Sequence, residues 1–134
     1  MSVKHTYLTD DDLSLLEQHG EVVDYAPQDN VLQQDTQSDR IYYLRSGMVQ
    51  VDFSRVYNTD VLAYVGEGEF VGEVSFLDHQ ESSASVTAVK PVQMLELTRD
   101  DMEKLLESDP ALAARFYHTV ATTLARRIRA SNAQ

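Results

Sequence analysis

The spacing of apolar residues changes twice along the chain, and the two changes divide it into three regions. Residues 8–20 have helical periodicity, with Thr9 as a candidate N-cap and three aspartates in the first turn, where the helix dipole favours anions. In residues 21–97, apolar and polar side chains alternate in short runs separated by turn residues. Helical periodicity returns in residues 98–131. The pattern predicts a helix, a β-roll and two helices in a single domain, 1–134.

The middle region contains several candidate strands. The stretch "RIYYLRSGMVQVDFSR" predicts a hairpin that turns at Ser46-Gly47. One face of this hairpin would carry Ile41, Tyr43, Val49, Val51 and Phe53. Further strands are predicted in "EVVDYAP", "VLAYVG", "SASVTAV" and "VQMLEL". Short strands that recur about every ten residues are typical of a β-sandwich or barrel, and they argue against a parallel α/β sheet.

The last predicted helix has a marked start and a long apolar stripe. Asp109 is a suitable N-cap, and Pro110 suits the first helical position. Apolar side chains then recur every four residues. The stripe consists of Leu112, Phe116, Val120, Leu124 and Ile128. Part of it must pack on the roll, and the rest is available for another partner.

The charge of the chain is strongly negative and unevenly distributed. The 134 residues include 22 acids and 11 bases, a net charge of −11. This argues against direct nucleic acid binding, which depends on Lys and Arg that neutralise phosphates. Residues 109–134 nevertheless contain four arginines against one aspartate. We interpret this basic end as the ordinary preference of cations for a helix C-terminus, with an interaction patch as the alternative.

Composition also excludes several classes of protein. There is no cysteine, so disulfides and thiolate metal sites are excluded. His5, His19, His79 and His118 are scattered without a His-x-His pair, so no metal site is expected. No arrangement of a catalytic triad is suggested, and we expect a protein that is not an enzyme. The N-terminus lacks the apolar core of a signal peptide, and no apolar run approaches about 18 residues, so a cytoplasmic location is predicted.

Residues 70–88, "FVGEVSFLDHQESSASVTA", have the order glycine, short turn, polar loop and strand. This stretch resembles the phosphate-binding cassette of cyclic nucleotide-binding domains. Such domains occur in the catabolite activator family of bacterial regulators, in protein kinase A regulatory subunits and in some ion channels. Gly47 and residues 98–129 resemble the strand-Gly-strand unit and the C-terminal helices of the same family. The resemblance covers about residues 8–130. It implies a mainly β fold, a double-stranded β-helix (jelly roll), flanked by an N-terminal helix and two C-terminal helices.

The resemblance also assigns candidate ligand-binding residues. A glycine allows close approach of the backbone to a ligand, and a short helix that starts there points N–H groups at an anion. Gly72 matches the family glycine, and Glu73 matches a glutamate that accepts a hydrogen bond from the ribose 2′-hydroxyl. The implied ligand is a cyclic nucleotide, cAMP or cGMP. The candidate site consists of Gly72, Glu73, Val74, Ser82, Ser83 and Ala84.

This cassette departs from the family pattern at its phosphate contact. Ser82 occupies the position of an arginine that pairs with the cyclic phosphate, a contact worth roughly 1.5–3 kcal/mol. No nearby base is in place to substitute, since Lys90 lies beyond the following strand. Asp35 also stands where the family often has glycine. The carboxylates around the cassette oppose a phosphate. They are Glu67, Glu69, Glu73, Asp78 and Glu81.

Two interpretations of Glu73 stay open, a sugar ligand or a structural residue at a helix start. For the whole chain we predict a regulatory module of the cyclic nucleotide-binding fold that has lost its usual nucleotide affinity. It would act by dimerisation, through a protein partner or with another ligand. The alternatives are an intact cAMP or cGMP sensor and, from another class, a small cupin-like enzyme, which the absence of a histidine cluster disfavours.

The resemblance has two further implications for the long helix. In bacterial regulators of this family the helix pairs with its copy in a two-fold dimer, so the stripe that begins at Leu112 is a candidate dimer contact. A helix-turn-helix domain follows the helix in those regulators. Because this sequence ends at Gln134, we expect no DNA-binding domain unless the chain is a fragment.

Overall fold

The computed structural model describes residues 6–132, with side chains as far as Ala130. His5 and the other residues of the extreme N-terminus lie outside the described part. The order of the elements is helix, six strands, short helix, two strands and two helices. Their bounds are α1 (Asp10–His19), β1 (Glu21–Tyr25), β2 (Asn30–Leu32), β3 (Arg40–Ser46), β4 (Met48–Ser54), β5 (Thr59–Gly66), β6 (Phe70–Val71), α2 (Glu73–Asp78), β7 (Ser85–Ala88), β8 (Val92–Thr98), α3 (Arg99–Ser108) and α4 (Pro110–Asn132).

The strands form two antiparallel sheets. One has the order β1-β8-β3-β6 and the other the order β2-β7-β4-β5. Strands that are neighbours in sequence therefore lie mostly in different sheets, as in a jelly roll. The prediction of a mainly β fold with one N-terminal and two C-terminal helices is confirmed.

The predicted hairpin between β3 and β4 is wrong. Strand β3 pairs with β8 and β6, whereas β4 pairs with β5 and β7. Gly47, with φ +95°, turns the chain from one sheet into the other. A Cβ at this position would lie 2.3 Å from the carbonyl oxygen of Pro91. Glycine is therefore required here by a close crossing of the backbone and not by a hairpin turn.

The two strands consequently face different cores. Ile41 and Tyr43 of β3 belong to a cluster between the first sheet and the helices. Val49 and Val51 of β4 belong to a second cluster, between the two sheets. Phe53 is only half-buried. The predicted single apolar face is thus divided, because alternation shows which residues turn inward but not toward which layer.

Helix α4 lies across the first sheet and is held by an aromatic cluster. Phe116 contacts Phe70 and Phe76 edge-on, with ring centroids 5.0 and 5.7 Å apart. The predicted stripe divides along its length. Leu112, Phe116 and Val120 are buried in the core of the same chain, whereas Ile128 is 61% exposed. Only the distal part of the stripe is thus available to a partner.

The N-terminal helix is fixed by its own first turn. Thr9 and Asp12 form a reciprocal capping box, as the sequence suggested for Thr9. The Asp12 carboxylate also accepts two hydrogen bonds from Arg115 of α4, at 2.6 and 2.8 Å. Hydrogen bonding from Arg115 lowers the pKa of Asp12 below its usual range. One buried carboxylate therefore joins α1 to α4.

Candidate functional site

The cassette begins where strand β6 runs directly into α2. Gly72, between them, has φ +80°. A side chain there would bring its Cβ to 3.2 Å from the ring of Tyr42 and would strain the backbone as well. The carbonyl of Gly72 accepts the first helical bond, from Phe76 N–H at 3.2 Å. The glycine is thus needed both for its backbone angles and for space.

The return loop of the cassette is fastened to the loop between β2 and β3. Ser82 N–H donates to the carbonyl of Thr36, and the Ser82 carbonyl accepts from Asp35 N–H, both at 2.9 Å. Asp35 has φ +65°, so it takes the left-handed conformation that glycine would take at this place. The departure from glycine at Asp35 has therefore not prevented the turn.

Ser82 itself is held with its hydroxyl buried. The residue is 4% exposed, and its Oγ has no hydrogen-bond partner within residues 6–132. Ser83, next to it, is exposed. Ser82 thus presents a small, uncharged hydroxyl at this point of the loop.

All six predicted site residues line one cavity of about 40 Å³. It is bounded by the start of α2, the return loop and the inner faces of the strands. Six further residues complete its wall. They are Leu32, Val51, Val71, Ser75, Val86 and Arg127. The fold therefore brings the predicted residues together, whereas their role in binding stays a prediction.

The prediction that no base could substitute for the arginine considered Lys90 and did not foresee Arg127 near the cassette. Arg127, in α4, lines the cavity and forms an ion pair with Glu73. Glu73 is 2% exposed, and the side chain of Arg127 is 19% exposed. Arg127 also donates to the carbonyl of Phe70 at 3.3 Å. Burial raises the pKa of Glu73, and the positive charge of Arg127 opposes that shift.

A second arginine of α4 repeats this arrangement one residue earlier. Arg126 forms an ion pair with buried Glu69, whose other carboxylate oxygen accepts from Gly66 N–H at 3.0 Å. Two of the five carboxylates expected to repel a phosphate are therefore neutralised. Two arginines at the basic end of α4 therefore pair with carboxylates in the region of the cassette. Neither interpretation of the basic charge of α4 had specified these contacts.

A third arginine, which the sequence analysis did not single out, forms hydrogen bonds with α2. Arg99, the first residue of α3, donates to the carbonyls of Ser75 and Phe76 at 2.9 and 2.8 Å. Its guanidinium lies over the Phe76 ring, 5.5 Å from the centroid. These bonds satisfy carbonyls near the end of a short helix and fix the helix against α3. No local pattern in the sequence indicates such a contact.

Two negative findings concern the described residues. Between residues 6 and 132, no three His, Cys, Asp or Glu side chains lie close enough together to hold a metal ion. No helix in that part of the chain is long and apolar enough to span a bilayer. The cavity lining combines apolar side chains with three serines and one ion pair.

The chain matches a known family over most of its roll and into the C-terminal helices. The family model described as "Cyclic nucleotide-binding domain" matches residues 22–109. The chain belongs to this family. The resemblance inferred from the cassette is thereby confirmed for the cyclic nucleotide-binding domain as a whole.

Two curated relatives with a matching segment are longer proteins. The "Cyclic AMP receptor protein" of Thermus thermophilus is 38% identical over 90 residues, which are 66% of this chain and 40% of that protein. "Glutaminase 2" of Bradyrhizobium diazoefficiens is 32% identical over 110 residues, 82% of this chain but 17% of that protein. The chain spans less than half the length of either relative.

A solved structure has the same architecture. The crystal structure of the Thermus thermophilus catabolite activator protein superimposes with a TM-score of 0.76 at 30% identity. The match covers 93% of this chain and 57% of that one. It includes the helices as well as the roll, since the roll alone is a smaller share of the chain.

Proposed function

We propose that this cyclic nucleotide-binding domain is a regulatory module with weak affinity for cAMP and cGMP. The observation that supports the proposal is the charge of the cavity. Ser82 supplies no cation, and Arg127, the one cation lining the cavity in the described part of the chain, is paired with buried Glu73. An incoming phosphate therefore meets a cavity whose charges already cancel.

A phosphate and Glu73 would compete for Arg127, and the free energies of the two contacts can be compared. A phosphate that took Arg127 would gain a charge-assisted contact of roughly 1.5–3 kcal/mol. It would leave Glu73 buried without its partner, which costs about 3–5 kcal/mol for a buried pair. The exchange is therefore unfavourable, and Arg127 does not replace the missing arginine.

The small size of the cavity also favours a weak affinity for nucleotides. Its volume of about 40 Å³ is room for roughly three waters, at about 10–15 Å³ each. A nucleotide would have to displace the Arg127 side chain or extend out of the cavity. Displacement of Arg127 adds to the free energy that the binding contacts must supply, because it breaks the ion pair with Glu73.

The test is to restore the cation at Ser82. Ser82→Arg should raise the affinity for cAMP or cGMP about 10- to 100-fold in calorimetric titration, because it adds a charge-assisted contact. Ser83→Arg is the matched control, since it adds the same charge to the neighbouring, exposed position. No gain in Ser82→Arg, or an equal gain in both variants, would contradict the proposal.

An intact nucleotide sensor is a second candidate, and one observation favours it. The buried Ser82 hydroxyl lines the cavity and is without a hydrogen-bond partner in the described residues, so it is available to a ligand oxygen. In that case the wild-type protein would bind cAMP or cGMP with a micromolar dissociation constant. The same titration separates the two candidates.

We also propose a two-fold dimer through the distal half of α4. Ala121, Ala125 and Ile128 are exposed there, and Leu124 is half-buried. Their spacing of three and four residues gives one apolar face, which suits a paired helix. A monomer in light scattering at high micromolar concentration would refute this. We expect a cytoplasmic, non-enzymatic role, with a regulated protein as a further candidate partner.

A further inference from the structure

A groove of about 260 Å³ lies between α2, α3 and the first turns of α4. Helix α2 lies between this groove and the cassette cavity. Its residues 73–75 line the cavity, and Phe76 and Leu77 line the groove. The floor is apolar, with Phe76 and Leu106 buried. The rim carries Leu77 and Tyr117, which are 44% and 47% exposed. We name this feature the α2–α3 groove.

The edge of the α2–α3 groove is acidic. Glu103 and Glu107 line it, one helical turn apart on α3. Glu103 has a distant ion pair with Arg99, at 3.9 Å, but the guanidinium of Arg99 is already bonded to two carbonyls of α2. The groove therefore combines a half-exposed apolar surface with carboxylates that are available to a cation.

We propose that the α2–α3 groove binds a basic amphipathic helix of a partner protein. Apolar side chains on one face of such a helix would cover Leu77 and Tyr117. Lysines or arginines beside them would pair with Glu103 and Glu107. This is the arrangement by which grooves recognise amphipathic helices, with charges that steer and orient the partner.

The charges of the chain favour a different protein over a second copy as the occupant. The arginines of α4 are largely committed within the chain, since Arg115 pairs with Asp12, Arg126 with Glu69 and Arg127 with Glu73. The net charge of −11 gives the chain a negative field. A partner rich in lysine and arginine is attracted by the same field. This interaction goes beyond nucleotide binding and does not depend on it.

The test uses a designed probe and the whole chain. The probe is a fluorescent peptide of about two heptads, with leucines on one face and lysines on the other. A second peptide keeps the leucines and replaces each lysine with glutamate. In anisotropy titrations the basic peptide should bind, more weakly at higher salt, and the acidic peptide should not.

Charge-reversal variants locate the site. Glu103→Lys with Glu107→Lys should weaken binding of the basic peptide about tenfold or more, because two attractions become repulsions. Asp24→Lys with Glu67→Lys is the matched control, since it reverses two exposed acids that do not line the groove. It should change affinity by no more than about twofold, the remote effect of net charge.

A variant of the apolar rim completes the test. Leu77→Ala with Tyr117→Ala, both at half-exposed positions, should also reduce binding of the basic peptide without unfolding the domain. The proposal is overturned if the basic peptide fails to bind, if both peptides bind equally, or if the control pair loses as much affinity as the groove pair. Self-association in sedimentation that the rim variant abolishes would make a second copy the occupant and would also overturn it.

Discussion

The ion pair between Glu73 and Arg127 can be broken from the arginine side with little change in shape. Arg127→Met keeps much of the apolar stem and removes the guanidinium. Glu73, which is 2% exposed in the wild-type protein, is then left with no cation opposite it. A carboxylate in this position will be protonated in preference to remaining charged.

Protonation sets the size of the effect. Neutralising a carboxyl with an ordinary pKa of about 4.3 costs about 1.4 kcal/mol for each pH unit above that value. At pH 7 the variant should therefore lose at most about 3–4 kcal/mol of unfolding free energy, because burial already raises the pKa of Glu73 in the wild-type protein. At pH 5 it should lose only about 1 kcal/mol. The sign follows from the direction of the shift, since a carboxyl whose pKa is raised by folding destabilises the protein as the pH rises.

Urea unfolding followed by circular dichroism at the two pH values measures this difference. Arg129→Met is the matched control, because Arg129 is exposed on the same helix and its loss should change stability by no more than about 0.5 kcal/mol. If Arg127→Met costs no more than this control, or costs the same at both pH values, the buried pair does not hold α4 to the cassette as described.

Two further predictions concern the scaffold. Gly47→Ala should lower the unfolding free energy by about 2–4 kcal/mol, since its Cβ would lie 2.3 Å from the Pro91 carbonyl oxygen at a positive φ. Thermal unfolding compares this variant with Gly66→Ala, where a Cβ meets no atom within 4 Å, and equal effects of the two substitutions would refute the prediction. Asp12→Asn should destabilise the protein at neutral pH but progressively less as the pH falls. The pKa of Asp12 is lowered by folding, so its carboxylate stabilises the protein above the pKa of the unfolded chain, and this stability is lost as Asp12 is protonated in the folded state. A pH-independent difference between the variant and the wild type in urea unfolding would contradict this.

The parts of the fold that could be predicted from sequence are those with local causes. Asp109 caps α4 by accepting a hydrogen bond from Leu112 N–H at 3.1 Å, as its place before Pro110 indicates. The six cassette residues line one cavity because a turn, a short helix and a loop bring them together over a short stretch of chain. Such features need little knowledge of how distant parts of the chain meet.

The parts that could not be predicted depend on distant pairing. The division of β3 and β4 between two sheets follows from the crossing at Pro91 and not from their own alternation. Glu73 and Arg127 are 54 residues apart, and they meet where the core around Phe116 packs α4 against the roll. The opposite charges of the cassette and the helix end were visible in the sequence, but the pairing was not.

The proposed lack of a cation for the cyclic phosphate at Ser82 is tested most directly by titration of the wild-type protein. Calorimetry with cAMP and with cGMP, near physiological salt, should show dissociation constants far above the micromolar range for both, because Ser82 contributes no charge and Arg127 remains with Glu73. A micromolar dissociation constant for either nucleotide would contradict the account.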